Sequence, residues 1–204
     1  VPQQCDPLVP ADLDMARFEY LLDHTFSKLH VLPLEEAIGR LQTGTLPRCA
    51  ACITFDDGYP DWLAGVVPAL RRRNLHATFF ITSGQFDGVP LWHERILAAV
   101  RRLSGPSLDM GIPFLPAQPV ASIDDRRRQV QRLEQELKYL TLYRREQILQ
   151  QLEAEAGVHS ADVPVMSETQ LRDLHSQGFG IGAHTALHPI LDYCNAEEVE
   201  REIG

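Results

Sequence analysis

The residues Ala50-Ala-Cys-Ile-Thr-Phe-Asp-Asp-Gly58 are the clearest structural signal in this chain. Their first six residues form an apolar run of strand length, which ends at two adjacent carboxylates, Asp56 and Asp57. Residues 60–73 then have a helical pattern, and residues 77–82 (Ala-Thr-Phe-Phe-Ile-Thr) are β-branched and aromatic, as in a strand. A strand, a helix and a strand in this order predict parallel strands joined by a crossover helix. Functional side chains are then expected at the carboxyl ends of the strands.

A later segment places two histidines at the end of another predicted strand. Ser167 and Gln170 form a capping box that predicts a helix over residues 168–177. The next strand, residues 179–184, ends in His184, and His188 follows four residues later. Two imidazoles and one carboxylate on a shared rim match a catalytic zinc-type site better than a closed structural site. Each motif alone also has a simpler explanation, because Asp-Gly is a common turn and a histidine pair often has no ligand.

The composition is that of a globular protein of 204 residues, with 44% apolar and 23% charged residues. We expect one domain from this length. The formal net charge of −9 disfavours nucleic acid as a partner, because nucleic acid binding requires a surface that neutralises phosphates. No stretch approaches the roughly 20 apolar residues of a membrane span. Cys49 and Cys52 have the spacing of a redox pair or half a zinc site, but their apolar neighbours favour a buried strand.

Helical patterns dominate the remainder of the chain. Residues 11–28 and 34–41 are predicted to be surface helices. Residues 90–160 interrupt the alternation of strands and helices, with helical stretches predicted at residues 91–103, 122–139 and 143–157. We interpret residues 90–160 as a helical insertion or lid.

Two motifs of this sequence resemble a known family. In this order, Thr54-Phe-Asp-Asp-Gly58 and His184-Thr-Ala-Leu-His-Pro189 are similar to the first two signature motifs of the polysaccharide deacetylases, the NodB-homology carbohydrate esterases. Residues 77–81 stand where that family has a barrel strand. The likeness covers roughly residues 11–204. It implies an α/β fold, a distorted (β/α) barrel of the polysaccharide deacetylase type, truncated in this chain.

The resemblance also implies a role for each motif residue. Asp56 would be the general base, and Asp57, His184 and His188 would bind one divalent metal ion, zinc in most of the family. The implied activity is metal-dependent hydrolysis of N-acetyl groups on an amino-sugar polysaccharide or cell-envelope glycan. An N-acetylated glycan partner and a cell-envelope or extracytoplasmic location follow from the resemblance alone.

The later motifs of the family have no match before Gly204. These motifs supply an arginine that orients the base and a histidine that acts as general acid. We therefore expect residues 1–204 to be a single deacetylase domain, incomplete at its C-terminus and at its first strand. Two alternatives stay open: a non-catalytic glycan-binding relative, and a metal-dependent amidase acting on a small amide. Trp92 is a candidate sugar-stacking residue, although large aromatic side chains more often pack internally.

Overall fold

The structure, a computed structural model, describes residues 1–10 and 13–204. In chain order, the helices are α1 (Met15–His24), α2 (Leu34–Gln42), α3 (Val66–Arg72), α4 (Trp92–Arg102), α5 (Ile123–Leu137), α6 (Leu142–Ala156), α7 (Glu168–Ser176) and α8 (Ala196–Ile203). The strands are β1 (His30–Val31), β2 (Ala50–Ala51), β3 (Thr54–Phe55), β4 (Thr78–Ile81), β5 (Ser107–Leu108), β6 (Gln118–Pro119) and β7 (Gly180–Ala183). Within the described part of the chain, no helix has the length and apolar character needed to cross a bilayer.

The chain divides into two compact units. The first unit comprises Val1–Asp6, Ala11–Thr82 and Met166–His184, and the second comprises Pro7–Pro10, Ser83–Val165 and Thr185–Gly204. The predicted helix over residues 11–28 belongs to the first unit, where α1 occupies its middle part. The first two residues of that prediction lie outside the described residues. That residues 1–204 form a single domain containing an insertion at 90–160 stays a prediction.

A parallel sheet lies at the centre of the first unit. Its strand order is β3-β4-β7, with Thr54 opposite Thr78 and Ile81 opposite Ala183. Helices occur in the connections between these parallel strands, as the sequence pattern predicts. The α/β class is therefore confirmed. The strands of the described residues form short, separate sheets.

The strand predicted at residues 50–55 is two strands in the structure. β2 pairs in parallel with β1, whereas β3 pairs in parallel with β4. The chain thus changes partner within four residues, and the backbone before β2 turns at Cys49, which has a φ of 56°. Cys49 is exposed and Cys52 is half-buried, so the prediction that both lie in a buried strand is wrong. The apolar run indicated a strand but could not show which neighbour each part would select.

The predicted helix at residues 60–73 begins later than its pattern indicates. A single 3-10 turn spans Pro60–Leu63, and α3 starts only at Val66. This start places Pro68 in the first turn of α3, where a missing backbone N–H costs nothing because it would have no helical partner. The proline therefore sets the start of the helix instead of bending it.

Aromatic rings form the core beside the β3 and β4 strands. Phe79 is fully buried. Its ring centroid lies 5.0 Å from that of Phe55, 5.1 Å from that of Trp62 and 5.4 Å from that of Phe179. Such offset and edge-to-face pairs add to the free energy gained from burial alone. This cluster fixes the strand that leads directly into Asp56.

Three helices form the core of the second unit. Helix α4 packs against α5 and α6, and all three agree closely with the predicted helical stretches. Ser122 and Thr141 cap the starts of α5 and α6 through their side chains, and Gly157 ends α6 with a φ of 62°. The fully buried apolar residues of these helices include Ile96, Ala99, Val100, Val130, Leu133, Leu137 and Leu152.

An ion network joins α4 to α6 in this unit, with Arg95 and Glu153 buried and Glu146 exposed. The guanidinium of Arg95 lies 2.7 Å from a Glu153 oxygen and 2.6 Å from a Glu146 oxygen. Burial acts to lower the pKa of Arg95, but the hydrogen bonds to the two carboxylates outweigh it and raise that pKa above its usual value. Arg95 therefore stays charged, with its charge neutralised by groups of the same helical core.

Candidate metal centre

The turn of residues 56–58, here called the Asp57 turn, follows β3 directly. Asp57 has a φ of 86° and Gly58 a φ of 95°. Two successive residues with positive φ reverse the chain sharply, at a strain cost for Asp57 because only glycine adopts such angles freely. The turn is held by Thr82, whose backbone N–H donates to the Asp57 carbonyl at 3.2 Å.

His184 reaches the same rim of the sheet from the end of β7. Its backbone N–H donates to the Ile81 carbonyl at 2.9 Å, and the Thr82 hydroxyl donates to the His184 carbonyl at 3.3 Å. The imidazole Nε2 of His184 lies 3.4 Å from Oδ1 of Asp57. The strands β3 and β7 flank β4 in one parallel sheet, so their carboxyl ends lie at the same edge, which explains why these two side chains converge.

His188 lies in the second unit, in a tight loop of residues 185–188 that is here called the His188 loop. Thr185 and His188 have φ angles of 62° and 52°. The Thr185 hydroxyl accepts a hydrogen bond from the His188 backbone N–H at 3.1 Å. The imidazole of His188 contacts that of His93 edge to face, with a centroid distance of 5.6 Å. The sequence motif thus builds a strained turn that fixes the backbone of its second histidine.

Asp57, His184 and His188 offer a donor set that could hold a metal ion. Asp57 and His184 already lie side by side in the first unit, and His188 would add a second imidazole. Two imidazole nitrogens and one carboxylate oxygen are a donor set typical of catalytic zinc, which takes ligands at about 2 Å and keeps a position open for water. Asp57 Oδ1 and His188 Nδ1 are buried atoms, and burial of a carboxylate is costly unless a cation compensates it. The residues present therefore fit a divalent metal ion.

Asp56 and Trp92, the other predicted site residues, differ in exposure. Asp56 is exposed and precedes Asp57 directly. Trp92 is only 9% exposed, and its indole N–H donates to the His188 carbonyl at 3.1 Å. The guanidinium of Arg145 lies 4.9 Å from the Trp92 ring centroid. These contacts connect Trp92 to the His188 loop, while a sugar-stacking role for it stays a prediction.

Sequence reasoning missed two charged residues that contact the His188 loop. Arg145 donates to the Leu187 carbonyl at 2.7 Å, and Glu202 accepts from the Leu187 backbone N–H at 2.8 Å. Both side chains are buried. Burial lowers the pKa of Arg145 to about 10, and the nearby Glu202 carboxylate opposes this shift. Arg145 is still protonated at neutral pH and can donate all of its hydrogen bonds.

A signal for Arg145 was present in the sequence. In α6 it lies three, four and seven positions before Ile148, Leu149 and Leu152, on the apolar stripe that faces the core. A charged residue on such a stripe must find polar partners inside the protein. The sequence did not indicate what those partners are.

Comparison with known proteins agrees with the motifs. The family model described as polysaccharide deacetylase matches residues 43–103. No curated protein matches the sequence significantly.

Two solved structures were matched to the structure of this chain, with different degrees of likeness. The Streptococcus pyogenes deacetylase PplD in complex with acetate matches with a TM-score of 0.52 and 14% identity, over 94% of this chain and 54% of that chain. The chain thus spans about half of that structure, and at this identity the likeness concerns the fold alone. The BpsB deacetylase domain from Bordetella bronchiseptica has a TM-score of 0.39 and 15% identity, over 85% of this chain and 42% of that chain, which is too low to indicate a shared fold. With the motifs and the family match together, the polysaccharide deacetylases are the family that this chain resembles, and the match extends over residues 43–103.

Proposed function

We propose that this protein is a metal-dependent hydrolase that removes N-acetyl groups from an amino-sugar polysaccharide or a cell-envelope glycan. The observation that supports this most is the pair of Asp57 and His184, whose side chains lie 3.4 Å apart at one edge of the sheet in motifs that resemble the polysaccharide deacetylases. His188 follows His184 in the same motif, and a further carboxylate, Asp56, precedes Asp57 directly and is exposed. Hydrolysis of an amide requires both a cation site and a base, and these four residues supply the groups for both.

Asp57, His184 and His188 would hold the cation, for which zinc is the proposed identity. When bound, the ion would supply a Lewis acid that polarises the acetyl carbonyl and makes water more acidic. The strained backbones of Asp57 and His188 support a rigid presentation of each of these two ligands by its own segment, since strained residues persist only where the surroundings enforce them.

Asp56 would act as the general base. Its carboxylate would accept a proton from the attacking water while the water oxygen bonds to the acetyl carbon. The carbon–nitrogen bond then breaks, the proton ends on the nitrogen, and acetate and a free amino sugar leave. Adjacent residues point their side chains in different directions, so one aspartate can bind the metal while its neighbour faces the substrate. PplD, the similar structure, contains acetate, which is the product that this reaction would release.

We also propose that the parallel sheet β3-β4-β7 is one part of a distorted (β/α) barrel. Its parallel order and its helical connections are the features that a barrel segment would have. In such barrels the reaction takes place at the carboxyl ends of the strands, where Asp57 and His184 are found.

Acetate release from an N-acetylglucosamine oligomer tests the proposed activity. The whole chain is stripped with a chelator and assayed with and without added zinc. We expect zinc-dependent release of acetate. The rate should fall by about 100-fold or more in Asp56→Asn, since a general base contributes about that factor or more. Asp56→Asn should retain zinc binding. Asp61→Asn, whose side chain is 44% exposed, is the matched control and should keep full activity.

Three results would contradict the proposal in different ways. Zinc binding without acetate release, but with retention of the oligomer, would favour the non-catalytic glycan-binding relative. Hydrolysis of formamide in preference to the oligomer would favour the small-amide amidase. Acetate release that Asp56→Asn leaves unchanged would remove Asp56 from the mechanism.

A further inference from the structure

We propose that Arg145 and Glu202 are positioning residues that hold His188 in the orientation needed to bind the metal. This inference rests on the proposed function in one respect, that His188 is a metal ligand. It adds a role for two residues outside both signature motifs, one in α6 of the helical region and one in α8.

The backbone of the His188 loop is held at almost every peptide group. On its N-terminal side, Ser83 donates its N–H to the Thr185 carbonyl at 3.0 Å, and Gly84 donates its N–H to the Ala186 carbonyl at 2.9 Å. A side chain at position 84 would meet the Ala186 carbonyl oxygen, since a Cβ there would lie 2.6 Å from it. Only glycine therefore permits this close backbone approach.

Glu202 holds the middle of the loop through a single oxygen. Its Oε2 accepts hydrogen bonds from the backbone N–H of Ala186 at 3.0 Å and from that of Leu187 at 2.8 Å. The residue is 5% exposed. Hydrogen bonds to a buried carboxylate are stronger than those between neutral groups, so they offset much of the cost of burying this charge.

Arg145 holds the C-terminal side of the loop. Its two terminal nitrogens donate to Leu187 and His188, at 2.7 Å to the first carbonyl and 3.3 Å to the second. The Trp92 indole N–H donates to the same His188 carbonyl, and the guanidinium lies over the Trp92 ring. The planar fork of arginine can reach two successive carbonyls at once, which a single ammonium group cannot do in the same geometry.

The conformation of His188 explains why these contacts matter for ligation. A non-glycine residue with a φ of 52° is in the left-handed region, which costs free energy of the order of 1 kcal/mol. Without its hydrogen bonds to Arg145 and Glu202, the loop would relax toward negative φ angles, and the imidazole of His188 would turn away from the orientation needed to bind the metal. Supporting groups of this kind typically change metal affinity by about 10- to 100-fold.

A comparison with Arg95 separates this role from general helix packing. Both arginines are 4% exposed. Arg95 pairs with Glu146 and Glu153, which lie on the neighbouring helix, so its partners belong to the helical core. Arg145 instead donates to carbonyls of the His188 loop. Arg145 is therefore placed to act on the loop.

The test is metal binding by the whole chain after chelator treatment. Zinc affinity is measured by calorimetry, and cobalt(II) is titrated while the visible absorption bands report ligand geometry. The variants are Arg145→Met, which keeps the apolar stem, and Arg145→Lys, which keeps the charge. Arg144→Met is the matched control, since Arg144 is the exposed neighbour on the same helix. Glu202→Gln is paired with Glu200→Gln, an exposed position of α8.

We expect Arg145→Met to bind zinc about 10- to 100-fold more weakly and to alter the cobalt spectrum. Arg145→Lys should restore part of the affinity, and Glu202→Gln should weaken binding less because an amide oxygen can still accept. Arg144→Met and Glu200→Gln should match the wild type. If Arg145→Met does not fold, as shown by circular dichroism, Arg145→Lys and Glu202→Gln decide the question by the same two readouts.

Failure of this inference is distinguishable from failure of the proposed function. If the folded Arg145 and Glu202 variants keep the wild-type zinc affinity and cobalt spectrum while Asp57→Asn loses binding, the positioning role is overturned and the metal site remains. If the wild type binds no zinc, or if Asp57→Asn binds as well as the wild type, the metal site itself is wrong and the positioning role is overturned with it.

Discussion

The Asp57 turn and the His188 loop both present a proposed metal ligand on strained backbone, but different parts of the chain support them. The Asp57 turn follows β3, in which the ring of Phe55 packs on that of Phe79. The turn is also held by the backbone N–H of Thr82, at the end of the neighbouring strand β4. The His188 loop is held by the side chains of Arg145, Glu202 and Trp92. The geometry of the turn thus depends on the sheet, whereas that of the loop depends on individual polar groups.

This difference predicts two kinds of mutational sensitivity. Damage to the aromatic core should lower the stability of the first unit as a whole and affect Asp57 only through it. Damage to the support of the His188 loop should change metal affinity more than it changes the free energy of unfolding. The three substitutions below test this separation, beginning with the largest expected effect.

Phe79→Ala should have the largest effect. Removal of a fully buried phenylalanine costs about 3–5 kcal/mol of unfolding free energy, because a cavity is added to the lost burial. Urea unfolding measures this loss, and Phe114→Ala is the control, since Phe114 is 41% exposed. Equal losses for the two substitutions would show that the aromatic cluster does not support the sheet.

Gly84→Ala should have the next largest effect, and it should act on the loop. The added methyl group would meet the Ala186 carbonyl and displace the loop, at a cost of about 1–3 kcal/mol. Zinc affinity should fall about tenfold as His188 moves. Gly39→Ala is the control: the site is helical and open, and alanine there should stabilise by up to about 1 kcal/mol. Unchanged zinc binding in Gly84→Ala would contradict the loop account.

Thr185→Val should have the smallest effect on stability. The substitution keeps the shape of the side chain but removes the oxygen that accepts the His188 N–H, which costs about 1 kcal/mol. Calorimetry should show weaker zinc binding, while Thr185→Ser, which keeps the hydroxyl, should bind as the wild type does. A valine variant that binds zinc like the serine variant would show that this hydrogen bond does not orient His188.

Local signals in the sequence were sufficient for the elements that deliver the ligands. The capping box of Ser167 and Gln170 predicted the start of α7, and the structure contains both of its hydrogen bonds. The apolar runs at residues 77–82 and 179–184 predicted β4 and β7. Because parallel strands of one sheet have their carboxyl ends at the same edge, the approach of His184 to Asp57 could be foreseen without side-chain detail.

Pairing between distant residues was beyond the reach of the sequence patterns. β1 has two residues, His30 and Val31, which are too few to show an alternation of polar and apolar side chains. Its pairing with β2 is what divides the predicted strand into two. The partners of Glu202 could not be predicted either. Its carboxylate accepts from the backbone N–H groups of Ala186 and Leu187, and any residue other than proline offers such a group.

Zinc calorimetry on the chelator-stripped chain tests the central claim, that Asp57, His184 and His188 form one metal site. We expect the wild type to bind one zinc ion, and Asp57→Asn and His188→Ala to lose that binding. His175→Ala, at an exposed histidine of α7, should bind as the wild type does. Zinc binding that survives both ligand substitutions, or a wild type that binds no zinc, would contradict the account.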